Sequence, residues 1–185
     1  MDYTEQIAAF IPINEQERSD KAVIQQWISQ FSHNVLLREN KIAHITSSGL
    51  IMNKELDQLL MVHHNIYNTW TWTGGHADGE TDLLKIAIKE AKEETGLVTV
   101  QPYTDAMLSL DILPVYGHIK NGQYVSAHLH LSAAFLLIAD ETLPVQMNLA
   151  ENSGVKWVAL SEVDKYSNEA FMIAIYKKII TRVLS

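Results

Sequence analysis

The segment Thr71–Val98, TWTGGHADGETDLLKIAIKEAKEETGLV, decides the reading of this chain. An alternating run, Thr69 to Thr73, reads as a strand closed by Gly74 and Gly75, and a loop with Asp78-Gly79-Glu80 follows. The spacing then predicts a helix. At 100° per residue Glu90, Glu93 and Glu94 share one narrow arc, while Leu84, Ala87, Ile88 and Ala91 form an adjoining apolar stripe facing a core. Like charges at i,i+4 oppose a helix by roughly 0.2–0.5 kcal/mol per pair, and anions near its C-terminus work against the macrodipole. Lys89 and Lys92 soften this cost without removing it. A solvated acidic face is one explanation. A hard divalent cation is the other, because clustered carboxylates suit Mg²⁺, Mn²⁺ or Ca²⁺. The glycines favour the second: they let a ligand approach the backbone, and a loop entering a helix N-terminus offers N–H groups to an anion. Carboxylates and a glycine loop together point to a metal-bound polyphosphate.

The stretch resembles the signature of the Nudix hydrolases, G-x5-E-x7-R-E-U-x-E-E-x-G-U with U aliphatic. Lys89 takes the place of the Arg, followed by Glu90, Ala91, Lys92, Glu93, Glu94, Thr95, Gly96 and Leu97, and the first Gly falls on Gly75. The mid-box Glu would fall on Thr81, so Glu80 matches only with a loop one residue shorter. Lys for Arg loses the planar fork that pairs with a carboxylate at two points.

The resemblance implies an α/β fold, the Nudix α/β/α sandwich with a mixed sheet, spanning residues 41–185 behind an N-terminal helical extension, residues 1–40, packed on the core. It implies Mg²⁺-dependent hydrolysis of a diphosphate linkage in a nucleoside diphosphate joined to another moiety. Mg²⁺, with Mn²⁺ as the alternative, would sit on Glu90, Glu93, Glu94 and Glu80. Glu93, Glu94 and Glu151 are the candidate catalytic acids, with Glu151 chosen because the family often draws an acidic residue from this region. Gly74, Gly75, His76 and Lys89 are the candidate substrate contacts. A nucleotide-binding regulator that has lost turnover is the alternative. A prenyl diphosphate isomerase is disfavoured, because that related family uses a cysteine and this chain has none.

The remaining sequence bounds the partners. A chain of 185 residues, 47% hydrophobic, can build one ordinary core, and its net charge of −8 disfavours nucleic acid and anionic membrane. With no cysteine, no leader pattern and no long apolar run, the expectation is a cytoplasmic protein acting on a small nucleotide or other diphosphate. Residues 1–40 also offer a surface for a homodimer.

Within that extension, Thr4–Phe10 predicts a short helix, and Ser19-Asp20 a cap for a second one burying Ala22, Val23, Ile24, Trp27, Ile28 and Phe31. Strands are expected at 42–52 and 57–63 around Asn53-Lys54-Glu55. An apolar stretch, 106–119, broken by Pro114, leads to a hairpin turn at Lys120-Asn121-Gly122 and a long strand, 123–139. That strand puts His128, His130, Ser126 and Ser132 on one side, either lining a cleft or facing solvent. His suits Mg²⁺ poorly, so neither histidine is assigned as a metal ligand. Trp70 and Trp72 fit either core packing or stacking on a base. Val155, Trp157 and Val158 predict a strand, Leu160–Val163 a helix start, and Phe171, Ile175, Ile179 and Val183 the core face of a last helix.

Overall fold

Asn14 opens the long N-terminal helix, five residues before the expected cap. In the computed structural model, which describes residues 2–120 and 122–185, helix α1 spans Tyr3–Ala9 and α2 spans Glu15–Phe31. The Asn14 side chain accepts the Glu17 N–H at 2.8 Å, the bond that makes Asn a strong N-cap. Ser19 and Asp20 therefore lie inside the helix. Of the expected apolar face only Ile24 is fully buried; Ala22, Val23 and Phe31 are exposed.

Strands β1 (Ala43–Met52), β2 (Gln58–His64), β3 (Thr69–Thr71) and β4 (Thr73–His76) follow, then helix α3 (Leu83–Thr95). Next come β5 (Gln101–Pro102), β6 (Ser109–Val115), β7 (His118–Lys120), β8 (Gln123–Val125), β9 (His128–Ile138) and β10 (Asn152–Ala159), then helices α4 (Val163–Tyr166) and α5 (Ala170–Leu184). Strand β4 runs on through both glycines, so the loop starts at Ala77 rather than at Gly74. The expected 123–139 strand breaks at Ser126-Ala127 into β8 and β9. Asn121 of the expected hairpin turn lies outside the described residues. On either side of it β7 and β8 pair antiparallel, Lys120 opposite Gln123.

The chain divides into two compact units, the first made of Met1–Ser48, Gly74–Ala87 and Asp105–Phe135. Here Ala77 N–H donates to Ile45 O at 3.1 Å and Leu129 N–H to Ile42 O at 2.9 Å, while β6 pairs antiparallel with β9. Pro114 is tolerated because β6 has β9 as its one partner strand, leaving the missing N–H off the ladder. Helix α2 is tied to β6 by polar bonds, Gln16 Nε2 to Asp111 Oδ1 at 2.9 Å and Ile112 N–H to Asp20 Oδ2 at 3.0 Å.

The second unit comprises Gly49–Thr73, Ile88–Thr104 and Leu136–Ser185. Strand β2 pairs antiparallel with β1, β3 and β10. Ala139 N–H donates to Met52 O at 3.0 Å, ten residues on along both strands from Leu129 N–H on Ile42 O, so β1 and β9 advance in the same sense and the sheet is mixed. The fold class is α/β. Met172 and Tyr176 join Ile175 and Ile179 as the buried face of α5, in place of Phe171 and Val183, which are half-buried. Trp72 belongs to this core, its ring edge-on to Tyr176 at 5.5 Å. Trp70 is half-buried, with Lys156 Nζ 4.4 Å from its ring centroid and Tyr166 at its edge. No helix among the described residues is long and apolar enough to cross a membrane.

Gly74 is required by close packing. A Cβ there would meet Ser47 O at 2.9 Å and Ser48 Cα at 3.1 Å, both backbone atoms of β1. Gly74→Ala is expected to lower unfolding stability by about 1–3 kcal/mol. Urea denaturation monitored by tryptophan fluorescence measures it, and an unchanged midpoint would contradict the packing.

Candidate active site

Helix α3 buries Leu83, Ile86, Ala87 and Ala91, a stripe rotated from the expected one; Leu84 and Ile88 are only half-buried. The rotation matters for the acids. Glu94 lies three residues beyond Ala91, on the same side, and is 4% exposed. Glu90 is half-buried and Glu93 is exposed, so the three carboxylates grade from interior to surface.

In the second unit Lys89 binds two of them, its Nζ 3.2 Å from Glu90 Oε1 and 3.2 Å from Glu93 Oε2. Burial raises the Glu90 carboxyl above its ordinary 4.5, Lys89 pulls it back down, and Glu93 and Glu151 add to the rise. The same contacts raise the Lys89 ammonium, with Glu90 the larger cause. Glu151 is an exposed residue next to β10 that nevertheless stands close enough to act on Glu90. Its backbone is held by Asn65 N–H donating to Glu151 O at 3.0 Å and by its own N–H donating to Asn148 O at 2.9 Å.

Two residues without a signal in the sequence pattern hold the end of this helix. Asn152, buried, donates its Nδ2–H to Glu94 O at 2.9 Å, and Gln146 N–H donates to Thr95 O at 2.7 Å. Both satisfy carbonyls that a helix C-terminus leaves open. Gly96 continues the cap in the left-handed region at φ +69°, its N–H bonded to Lys92 O.

In the first unit, Asp78 (φ +47°) and Gly79 (φ +92°) make the turn after β4, closed by Glu80 N–H to Ala77 O at 2.9 Å. Three N–H groups around the start of α3 already have side-chain acceptors. Glu80 Oε1 accepts from Thr81 N at 2.9 Å and Asp82 N at 3.2 Å, and Asp82 Oδ1 accepts from Lys85 N at 3.0 Å. Glu80 Oε2 also takes Lys85 Nζ at 2.7 Å, so both its oxygens serve the helix start. His76, at the end of β4, sits among other imidazoles: its ring centroid is 5.0 Å from His44 and 5.1 Å from His130. Burial, followed by the Arg38 cation, lowers its pKa to about 3, so it is neutral at physiological pH and offers a phosphate no charge.

A sequence profile of the NUDIX domain matches residues 43–180, most of the chain. The chain is a Nudix-family hydrolase. No curated protein matches the sequence. Among solved structures, the Nudix chain resembles a C. elegans Ap4A hydrolase at TM-score 0.57 and 20% identity, covering 76% of this chain and 97% of that one. It also resembles the E. coli dihydroneopterin triphosphate pyrophosphohydrolase (TM-score 0.56, 13% identity, 74% and 94% covered). A NUDIX-family hydrolase from Clostridium perfringens superposes at TM-score 0.52 with 19% identity, covering 77% of this chain and 98% of that one. At these identities the likeness speaks for the fold. The family as a whole works with divalent metal ions and cleaves diphosphate linkages.

Proposed function

We propose that this Nudix hydrolase cleaves, with Mg²⁺, a diphosphate linkage in a nucleoside diphosphate joined to another moiety. One observation carries the reading: Glu90, half-buried, shares Lys89 with Glu93 at 3.2 Å each and also feels the Glu151 carboxylate. One ammonium does not balance the carboxylates gathered there, and hard oxygens are the donor set Mg²⁺ takes. Mn²⁺ accepts the same donors. Glu90, Glu93 and Glu94 would hold the ion, which supplies charge neutralisation of the phosphates and a more acidic water. Glu80, engaged at both oxygens, orients the loop.

The residues divide the remaining work. A water attacks one phosphorus, its proton passes to a carboxylate, and the bridging oxygen leaves with the other phosphate. Glu151, exposed beside Glu90, is the residue we assign to take that proton, with Glu93 the second candidate. Lys89 positions Glu90 and Glu93.

The direct test is product release, with and without Mg²⁺, from a panel of dinucleoside polyphosphates, nucleoside triphosphates, ADP-ribose, NADH, nucleotide sugars and pterin triphosphates. Turnover of at least one, abolished by chelation and restored by Mg²⁺, is expected. Tight nucleotide binding without turnover on any would replace this reading with a regulator. Lys89 makes its own prediction. Lys89→Ala is expected to lower kcat/KM about 10-fold, within the range for orienting partners, and to move the acid limb of the pH profile upward. The sign follows because Lys89 is the group that lowers the Glu90 pKa, and protonated Glu90 cannot hold a cation. An unmoved limb would show that Lys89 does not act through Glu90.

A further inference from the structure

Four imidazoles converge in the first unit. His44 comes from β1, His76 from β4, and His128 and His130 from β9. Ring centroids of His44 lie 5.0, 4.9 and 5.2 Å from those of His76, His128 and His130. One nitrogen from each of His44, His76 and His130 falls within 4.8 Å of the other two. We propose that His44, His76 and His130 form a binding site for one borderline transition-metal dication of the Zn²⁺ type, with His128 within reach as a fourth ligand.

The hydrogen-bond pattern argues for ligation over plain packing. His44 is 4% exposed, and its Nδ1 lies 2.9 Å from Asn40 O. A carbonyl accepts only, so Nδ1 carries the proton and Nε2 presents a lone pair. That Nε2 is buried with no hydrogen-bond partner. Leaving such an atom unsatisfied costs about 1–3 kcal/mol, which a metal–nitrogen bond would remove. His128 repeats the arrangement, Nδ1 at 2.8 Å from Ser126 O and Nε2 turned to His130 Nε2 at 3.3 Å. Ligating histidines characteristically give their other N–H to a carbonyl, which sets tautomer and ring orientation together.

Charge and size fit as well. Arg38 is engaged by Asp78, Nε to Oδ1 at 2.7 Å, and the Asp78 carboxylate offsets part of the cation's field at His76. Imidazole nitrogens suit Zn²⁺, Cu²⁺ and Ni²⁺ and not Mg²⁺, so the site selects a different ion from the helix carboxylates. Nitrogens bound to one Zn²⁺ at about 2.0–2.1 Å stand roughly 3.4 Å apart in a tetrahedron, a small χ rotation from the separations here. Three protein ligands leave a coordination position for water or His128. The ligands come from three separate strands, so the ion would clamp β1, β4 and β9 of this unit.

The test uses untagged, chelator-treated full-length protein titrated with Zn²⁺ by calorimetry. One ion per chain is expected, with Kd of about 1 μM or tighter. Co²⁺ added to the same protein should give ligand-field bands in the visible, a readout that needs no variant. His76→Gln and His130→Asn should each weaken Zn²⁺ binding at least about 100-fold and remove those bands, with near-UV circular dichroism confirming the fold. The combined Glu90→Gln, Glu93→Gln, Glu94→Gln variant should bind Zn²⁺ as the native chain does. Absence of binding and of cobalt bands, binding that survives both histidine variants, or binding lost in the glutamate variant would each overturn the proposal.

Discussion

Glu93→Gln and Glu94→Gln are each expected to lower kcat by about 10²- to 10⁴-fold, the range for losing a catalytic carboxylate or an ion's ligand. Gln keeps the size of Glu and removes one anionic oxygen, so the helix should remain folded while the proposed cation site loses charge. The two positions separate the explanations. Glu93 is exposed and paired with Lys89 at 3.2 Å, so its loss should barely move the thermal midpoint. Glu94 is buried beside the Asn152-capped end of α3, where a neutral amide is easier to bury than a carboxylate. Steady-state turnover over a Mg²⁺ series, with a melting curve for each variant, makes the measurement. Retained activity in both would remove the metal assignment and leave the acidic stripe as a solvated face.

The largest stability effect is expected at Tyr176. Tyr176→Ala should cost about 3–5 kcal/mol, since it empties a fully buried aromatic site against Trp72. Tyr176→Phe should cost about 1–3 kcal/mol, because the hydroxyl accepts Trp72 N–H at 3.1 Å and faces Thr71 Oγ1 at 3.1 Å. Phe keeps the ring and leaves that buried N–H unsatisfied. Denaturant unfolding of both variants gives the two numbers. A Phe variant as stable as wild type would mean the hydroxyl bonds contribute nothing net. The burial that makes this ring costly to lose also keeps its phenol from ionising.

Several elements were legible because their causes are local. Asn53-Lys54-Glu55 marks a turn on any reading, and β1 and β2 stand on either side of it. Helix α5 follows from its 3.6-residue apolar period, although the buried face turned toward Met172 and Tyr176. Helix α2 shows the opposite case. Its apolar residues suggested a buried stripe, but much of its attachment to β6 is polar, through Gln16 and Asp20, and Val23 and Phe31 stay exposed. Periodicity reports what a helix could bury. It does not report what lies across from it.

The same division runs through the candidate site. Glu90, Glu93 and Glu94 share an arc because three and four residues make about one helical turn, a fact of covalent geometry available from the sequence alone. The family signature and the missing cysteine are likewise properties of the sequence itself. What tertiary structure decided is every contact between residues far apart in the chain: Asn152 on the Glu94 carbonyl, Glu151 acting on Glu90, and His44 facing His76 and His130. Strand alternation says only that a side chain points up or down, whereas strand order and register decide which other side chains it meets there. Histidines at 44, 76 and 130 share no local period, so only the pairing of β1 with β4 and β9 brings them together.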